Sequence, residues 1–218
     1  MKNRTFTWLK AGLFLVCLVP LVTVVLGVFN LPGFGLGANP VEELIHRMGL
    51  WGLRFLLITL AITPLRKLSG WNWTLRLRRM FGLFAFFYIC LHFLVYAGLD
   101  QRFNVSRIIE DVLERPYITL GMTGLLLLIP LAITSTNAMM RRLGRRWQKL
   151  HRLVYVIAIL GVWHFFWQVK LDIREPLIFV AILTVLLGFR VVVSWRKSRQ
   201  RRLLTQGNRS NDHTANAR

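Results

Sequence analysis

A chain of 218 residues that is 55% apolar and only 17% charged is too rich in hydrocarbon for a soluble domain of its length. Its net charge of +20 sets 29 lysines and arginines against 9 acids, but no separate soluble domain is present to carry a nucleic-acid fold. The composition excludes nucleic acid as a partner and fits a lipid membrane with anionic headgroups.

In chain order, six runs of about 18 or more mostly apolar residues are long enough to cross a bilayer. They cover 11–29, 45–63, 80–99, 117–134, 150–169 and 177–195. A secretory signal peptide is the competing reading of the first run, because the ten residues before it are basic. The run is longer than a usual signal core, and no small-residue cleavage site closes it before Asn30, so it is read as a helix. The Gly- and Pro-rich stretch 31–40 is read as a turn, since no strand precedes its glycines to make a phosphate loop. Segment 101–116 carries Val105, Ile108, Ile109, Val112 and Leu113 at helical spacing, which predicts a short amphipathic surface helix or a docking face. Asn104 and Ser106 make a formal glycosylation sequon, read as incidental. Residues 196–218 read as a basic, disordered tail, and no repeat of fixed period is visible.

Charge sets the orientation. With the N-terminus cytoplasmic, the inner segments hold 21 of the 29 basic residues, while eight of the nine acids lie outside. The positive-inside rule then puts both termini in the cytoplasm. The expectation is an all-α, six-helix membrane bundle: a cytoplasmic N-terminus over 1–10, a transmembrane domain over 11–195 and the cytoplasmic tail.

The third and fifth helices both run outward, and each carries one histidine. His92 follows Met80 by 12 residues and His164 follows Leu150 by 14. At about 1.5 Å per residue, both lie roughly 18–21 Å from the inner ends of their helices. Neutral imidazole is a common iron ligand, and a matched pair in hydrocarbon is the geometry for gripping one haem from both sides. The competing reading is a histidine hydrogen-bonded to a neighbouring helix backbone. Without a CxxCH run, and with only Cys17 and Cys90, a haem would be held by axial ligands and packing alone.

Two other residues merit a role. His151 starts the fifth helix at its inner edge, suited to a second haem, a quinone or a helix-end anchor. The 13 residues to His164 leave the two side chains about 140° apart on an ideal helix, and the third helix offers no inner histidine to pair with it. Arg54 lies at nearly the depth of the histidine pair and could meet a haem propionate, or snorkel toward a wet crevice. Arg190 is expected to snorkel, His46 sits at the outer mouth of its helix, and His213 in the tail is given no role.

Several segments resemble a known family: NPVEELIH (39–46), ITPLRK (62–67), RRMFGL (78–83) with Leu91 and His92, RPYITLG (115–121) and, above all, TSTNAMMRRLGRRWQKLHRLVY (134–155). They are similar to the MsrQ (YedZ) family, over 8–195, whose core resembles the ferric-reductase and NADPH-oxidase transmembrane domains. The resemblance implies a bacterial inner-membrane protein holding b-type haem, one or two, with His92, His151 and His164 at the family's histidine positions. It further implies FMN binding, electrons from the quinone pool or a cytosolic flavin reductase, and delivery to MsrP, a periplasmic molybdoenzyme that reduces methionine sulfoxide in proteins. This chain departs from the oxidase pattern in lacking a second histidine on the third helix and a fused dehydrogenase domain.

The function expected is that of an electron-transfer subunit, not a catalytic one, with the acids Glu110, Asp111 and Glu114 as candidate docking groups. The alternative is a transporter using intramembrane His and Arg for proton or substrate coupling, with Pro20 and Pro130 breaking its helices.

Overall fold

A computed structural model describes residues 3–169 and 172–215. Lys2, Lys170 and Arg218, which entered the charge count above, lie outside the described residues. The elements are α1 (Asn3–Val28), α2 (Pro40–Ser69), α3 (Leu75–Val95), α4 (Val105–Glu114), α5 (Pro116–Ile133), α6 (Asn137–Leu143), α7 (Arg145–Leu150), α8 (Leu153–Gln168) and α9 (Arg174–Ala215). A 3₁₀ turn, Asn72–Thr74, leads into α3, and a π-helical turn, Tyr96–Asp100, ends it.

Six stretches are long and apolar enough to cross a membrane: Arg4–Val28, Pro40–Ser69, Asn72–Asp100, Pro116–Ile133, Arg145–Gln168 and Arg174–Gln200. They match the six runs read from the sequence to within one residue at the far end of each run, and the chain is an all-α, multi-pass membrane protein. Six crossings return the chain to the side where it began. We call that side the terminal face and the other the distal face. Residues expected to form a disordered tail instead continue α9 as far as Ala215; the stretch 196–206 is mostly good helix formers, whereas 207–214 is not.

Local chemistry explains where the helices start and stop. Asn39 caps α2 by accepting from the Glu42 amide, Pro40 occupies the first turn where no N–H is needed, and Glu42 and Glu43 sit at the positive end of the dipole. At the other end Gly70 adopts φ 73° and returns its N–H to the Arg66 carbonyl.

Two of the prolines inside helices, Pro20 and Pro64, are matched by side chains from elsewhere. At Pro20 the ladder of α1 is opened by Tyr88, which is fully buried. Its hydroxyl donates to the Cys17 carbonyl at 2.8 Å and accepts from the Leu21 amide at 3.1 Å, standing where those two groups would otherwise bond each other. Tyr88→Phe leaves both groups unpaired in an apolar setting. The expected cost is about 1–3 kcal/mol, read as a lower thermal midpoint in detergent; an unchanged midpoint would refute the wedge.

Arg190 does not snorkel. It turns inward, where Nη1 donates to the Tyr155 hydroxyl at 2.6 Å and Nη2 to the Leu60 carbonyl at 2.7 Å. Pro64, four residues after Leu60, has no N–H to offer that carbonyl, so the guanidinium serves in its place and ties α9 to α2 and α8.

The bundle also contains a repeat that sequence reading missed. α2 packs chiefly on α3, and α5 on α8. His164, Tyr117 and Gly121 each lie 72 residues after His92, Ile45 and Gly49 (164 minus 92, 117 minus 45, 121 minus 49), and Gly124 follows Gly52 by the same interval. The two helical hairpins run in the same direction, unlike the inverted halves looked for in a transporter. Identity survives only where helices touch; the lipid-facing positions accept any apolar residue, which dilutes the signal below notice.

Candidate functional site

Between the two hairpins lies a cavity of about 400 Å³, lined by residues of α2, α3, α5 and α8. His92 from α3 and His164 from α8 meet there, ring centroids 6.1 Å apart and ring planes at 81°. His92 Nδ1 lies 2.8 Å from the Ile45 carbonyl and His164 Nδ1 2.6 Å from the Tyr117 carbonyl. A carbonyl can only accept, so Nδ1 carries the proton in both rings and Nε2 keeps a free lone pair. The backbone-bonded reading holds at Nδ1 of each ring, and it leaves Nε2 with a lone pair that a metal could use.

Glycine makes these contacts reachable. A Cβ on Gly49 would stand 2.9 Å from His92 Nδ1, and one on Gly121 would stand 2.9 Å from His164 Nδ1. In each hairpin the glycine follows the accepting carbonyl by one helical turn, where any larger residue would cover it.

The spacing fits a metal held from opposite sides. A metal sits about 2.0–2.1 Å from an imidazole nitrogen, so two rings sharing one have centroids roughly 6 Å apart. Among the described residues no three His, Cys, Asp or Glu side chains converge on a common point. The pair therefore suits an ion that brings its own equatorial ligands, as a porphyrin iron does.

The cavity is amphipathic. Leu53, Leu56, Leu125 and Ile157 line its deep part, whereas Asn39, Tyr96, Arg115 and Gln168 line the end toward the distal face. The strongest contacts at that mouth converge on Asp111, a buried carboxylate. Its Oδ2 accepts from the Tyr96 hydroxyl at 2.8 Å and from Gln101 Nε2 at 3.0 Å, and its Oδ1 lies 3.3 Å from Arg115 Nε. Tyr117 and Asp111 both favour the charged guanidinium and raise the Arg115 pKa above its ordinary value.

The expected docking acids thus divide. Glu110 and Glu114 are exposed on α4, but Asp111 points inward and joins α4 to α3 and α5. Arg54 is not among the residues lining the cavity; its Nη2 lies 3.6 Å from Glu175 Oε1 and its guanidinium covers the Trp51 ring. His46 does line the cavity mouth, 3.8 Å from the other oxygen of Glu175.

His151 belongs to a second cavity, about 460 Å³, near the terminal face. It lies at the bend between α7 and α8, outside both helices, so the 140° expected from an ideal helix does not apply. Its ring stacks on Trp147 at 4.0 Å, and Nε2 is 3.0 Å from Thr134 Oγ1. Lys10, Arg76, Arg78 and Arg79 line the same cavity, and no carboxylate is among its described lining residues. Arg79 also donates to Asn137 at the start of α6. Leu56 borders both cavities.

Residues 48–162, a range that contains His92 and ends two residues before His164, match the family described as ferric reductase like transmembrane component. Proteins named "Protein-methionine-sulfoxide reductase heme-binding subunit MsrQ" match most of the chain. The one from Herminiimonas arsenicoxydans is 53% identical over 88% of this chain and 88% of its own length. That from Rhodospirillum rubrum is 54% identical over 88% of this chain and 92% of its own, and that from Xanthomonas euvesicatoria is 58% identical over 77% and 75%. The chain belongs to the MsrQ family.

For this MsrQ-family member, sequence reasoning paired His92 with His164 but missed the groups that hold them. The signal was present: each histidine lies 47 residues after its carbonyl partner, and a glycine follows that carbonyl by four in both hairpins. Arg115 was counted only as a surface charge.

Proposed function

We propose that this chain is the haem-binding, electron-transfer subunit of a protein-methionine-sulfoxide reductase. It would sit in the bacterial inner membrane with its terminal face in the cytoplasm. The observation that carries this reading is the facing pair His92 and His164, each fixed through Nδ1 with Nε2 free. A haem held there supplies one-electron iron chemistry whose potential the protein sets by ligation, burial and hydrogen bonding.

The chain's own residues would hold and tune that group. His92 and His164 ligate; the Ile45 and Tyr117 carbonyls fix the tautomer and raise the basicity of Nε2. The apolar deep wall keeps water away, and Gly49 and Gly121 let the rings lie close to α2 and α5.

Electrons would enter from a quinol or a reduced flavin at the terminal face and leave at the distal face to an MsrP-like molybdoenzyme. Reduction of the sulfoxide consumes two electrons and two protons, releasing water, and takes place on that partner. The second cavity supports the donor side of this reading, since its four cations and Trp147 suit an anionic flat donor such as FMN. The absence of acids from all but the far end of the terminal-face segments supports the orientation.

A visible spectrum of the purified chain tests the core of the proposal. A reducible low-spin haem spectrum is expected; colourless, well-folded protein from haem-replete cells would end it. Haem per polypeptide by pyridine hemochrome then resolves His151. His151→Ala is expected to keep the haem clamped by His92 and His164. Loss of half the wild-type haem would make His151 the ligand of a second one, whereas unchanged haem with slower reduction by quinol would put it on the donor side.

A further inference from the structure

Among the described residues lining the cavity that holds His92 and His164, Arg115 is the single lysine or arginine. Its setting is built. The Asp111 carboxylate takes up the Nε edge of the guanidinium and is itself held by Tyr96 and Gln101; the Tyr117 side chain also hydrogen-bonds the guanidinium, whose remaining N–H groups can serve a further acceptor. Arg115 is half exposed, so Asp111 aims it without burying it. Tyr96 comes from the π-helical turn at the end of α3, a distortion that recurs at functional sites.

A planar macrocycle gripped on both faces by imidazoles retains one freedom, rotation about the line joining them. The cavity removes it. Carboxylates on one edge of the ring cannot be turned into the wall of Leu53, Leu56, Leu125 and Ile157 without losing their hydration, so that edge must face the polar mouth. There Glu42 and Asp100 repel an anion, and among the described lining residues Arg115 is the one permanent cation that attracts one.

We infer that Arg115 binds a carboxylate on the porphyrin edge, with Asp111 as the positioning residue that aims it. This rests on the haem reading above and assigns to Arg115 the role first expected of Arg54.

The test uses the purified full chain and two readouts. Loss of a fixed positive charge beside the iron disfavours the reduced form. Arg115→Leu should keep the low-spin spectrum while the ferrous-to-ferric ratio at fixed potential falls at least tenfold, about 59 mV for one electron. Arg115→Lys should stay within threefold of wild type. In an Asp111→Asn background the effect of Arg115→Leu should shrink below threefold, because the guanidinium is no longer held in place. For the second readout, apo protein is titrated with haem and with haem dimethyl ester, whose carboxylates are masked. Wild type should prefer free haem at least tenfold, and Arg115→Leu should take up both equally.

An unshifted potential in Arg115→Leu with an unchanged spectrum overturns the assignment and leaves the histidine pair standing. Equal uptake of the two porphyrins by wild type does the same. A wild-type chain that takes up neither overturns both.

Discussion

Alanine at His92 or at His164 is expected to yield folded but colourless protein, with at least 95% of the low-spin haem absorbance lost in either variant. One remaining imidazole cannot hold an iron that needs a ligand on each side; of the other described histidines whose side chains are placed, His46 lies at the cavity mouth with Nε2 3.8 Å from Glu175, and His151 lies in the other cavity. The check is the pyridine hemochrome per polypeptide together with the elution profile in detergent. Retention of half or more of the haem by either variant would mean that the pair does not ligate one iron. The ring planes stand at 81°, so the wild-type electron paramagnetic resonance signal should be of the strongly anisotropic low-spin kind that crossed imidazoles produce.

The second large effect should come from the smallest substitutions. Gly→Ala inside a helix ordinarily stabilises by about 0.8–1 kcal/mol. At Gly49 and Gly121 the new methyl group would stand 2.9 Å from a histidine Nδ1, too close for contact and in the path of the hydrogen bond to Ile45 or Tyr117. Gly49→Ala and Gly121→Ala are therefore expected to lose haem at least tenfold faster on dilution into apomyoglobin, and the double variant faster still. Gly188→Ala is the control, since a Cβ there meets nothing within 4 Å. Wild-type haem retention in both single variants would show that the histidines are not held through these carbonyls.

Much of the fold was legible because a membrane span is a matter of length and composition. All six spans and the short helix α4 could be read from apolar runs and from the spacing of Val105, Ile109 and Leu113. Depth was legible too, and it brought His92 to His164. Azimuth was not. Arg54 shares the depth of the histidines, yet five residues at about 100° carry it roughly 140° around α2 from Gly49, toward α9 and Glu175. Arg190 was misread for a related reason, because the carbonyl it serves is freed by a proline 126 positions earlier in the chain (190 minus 64). The direction of His151 depends on a break between α7 and α8 that no Gly or Pro at the break announces.

The equal 72-residue offsets have a consequence for how such a centre could arise. A single hairpin carries one imidazole, one acceptor carbonyl and one glycine, and can offer an iron only half of what it needs. Two identical hairpins meeting face to face would complete the coordination at their shared axis, where neither alone has a site. Joining them in tandem makes that encounter intramolecular, so the second ligand is always near at hand instead of having to be found by diffusion in the bilayer. The halves differ elsewhere: α4 and Arg115 precede the second at the distal face, and the first has Pro64, whose missing N–H leaves the Leu60 carbonyl to Arg190. Symmetry is retained only where the metal would enforce it.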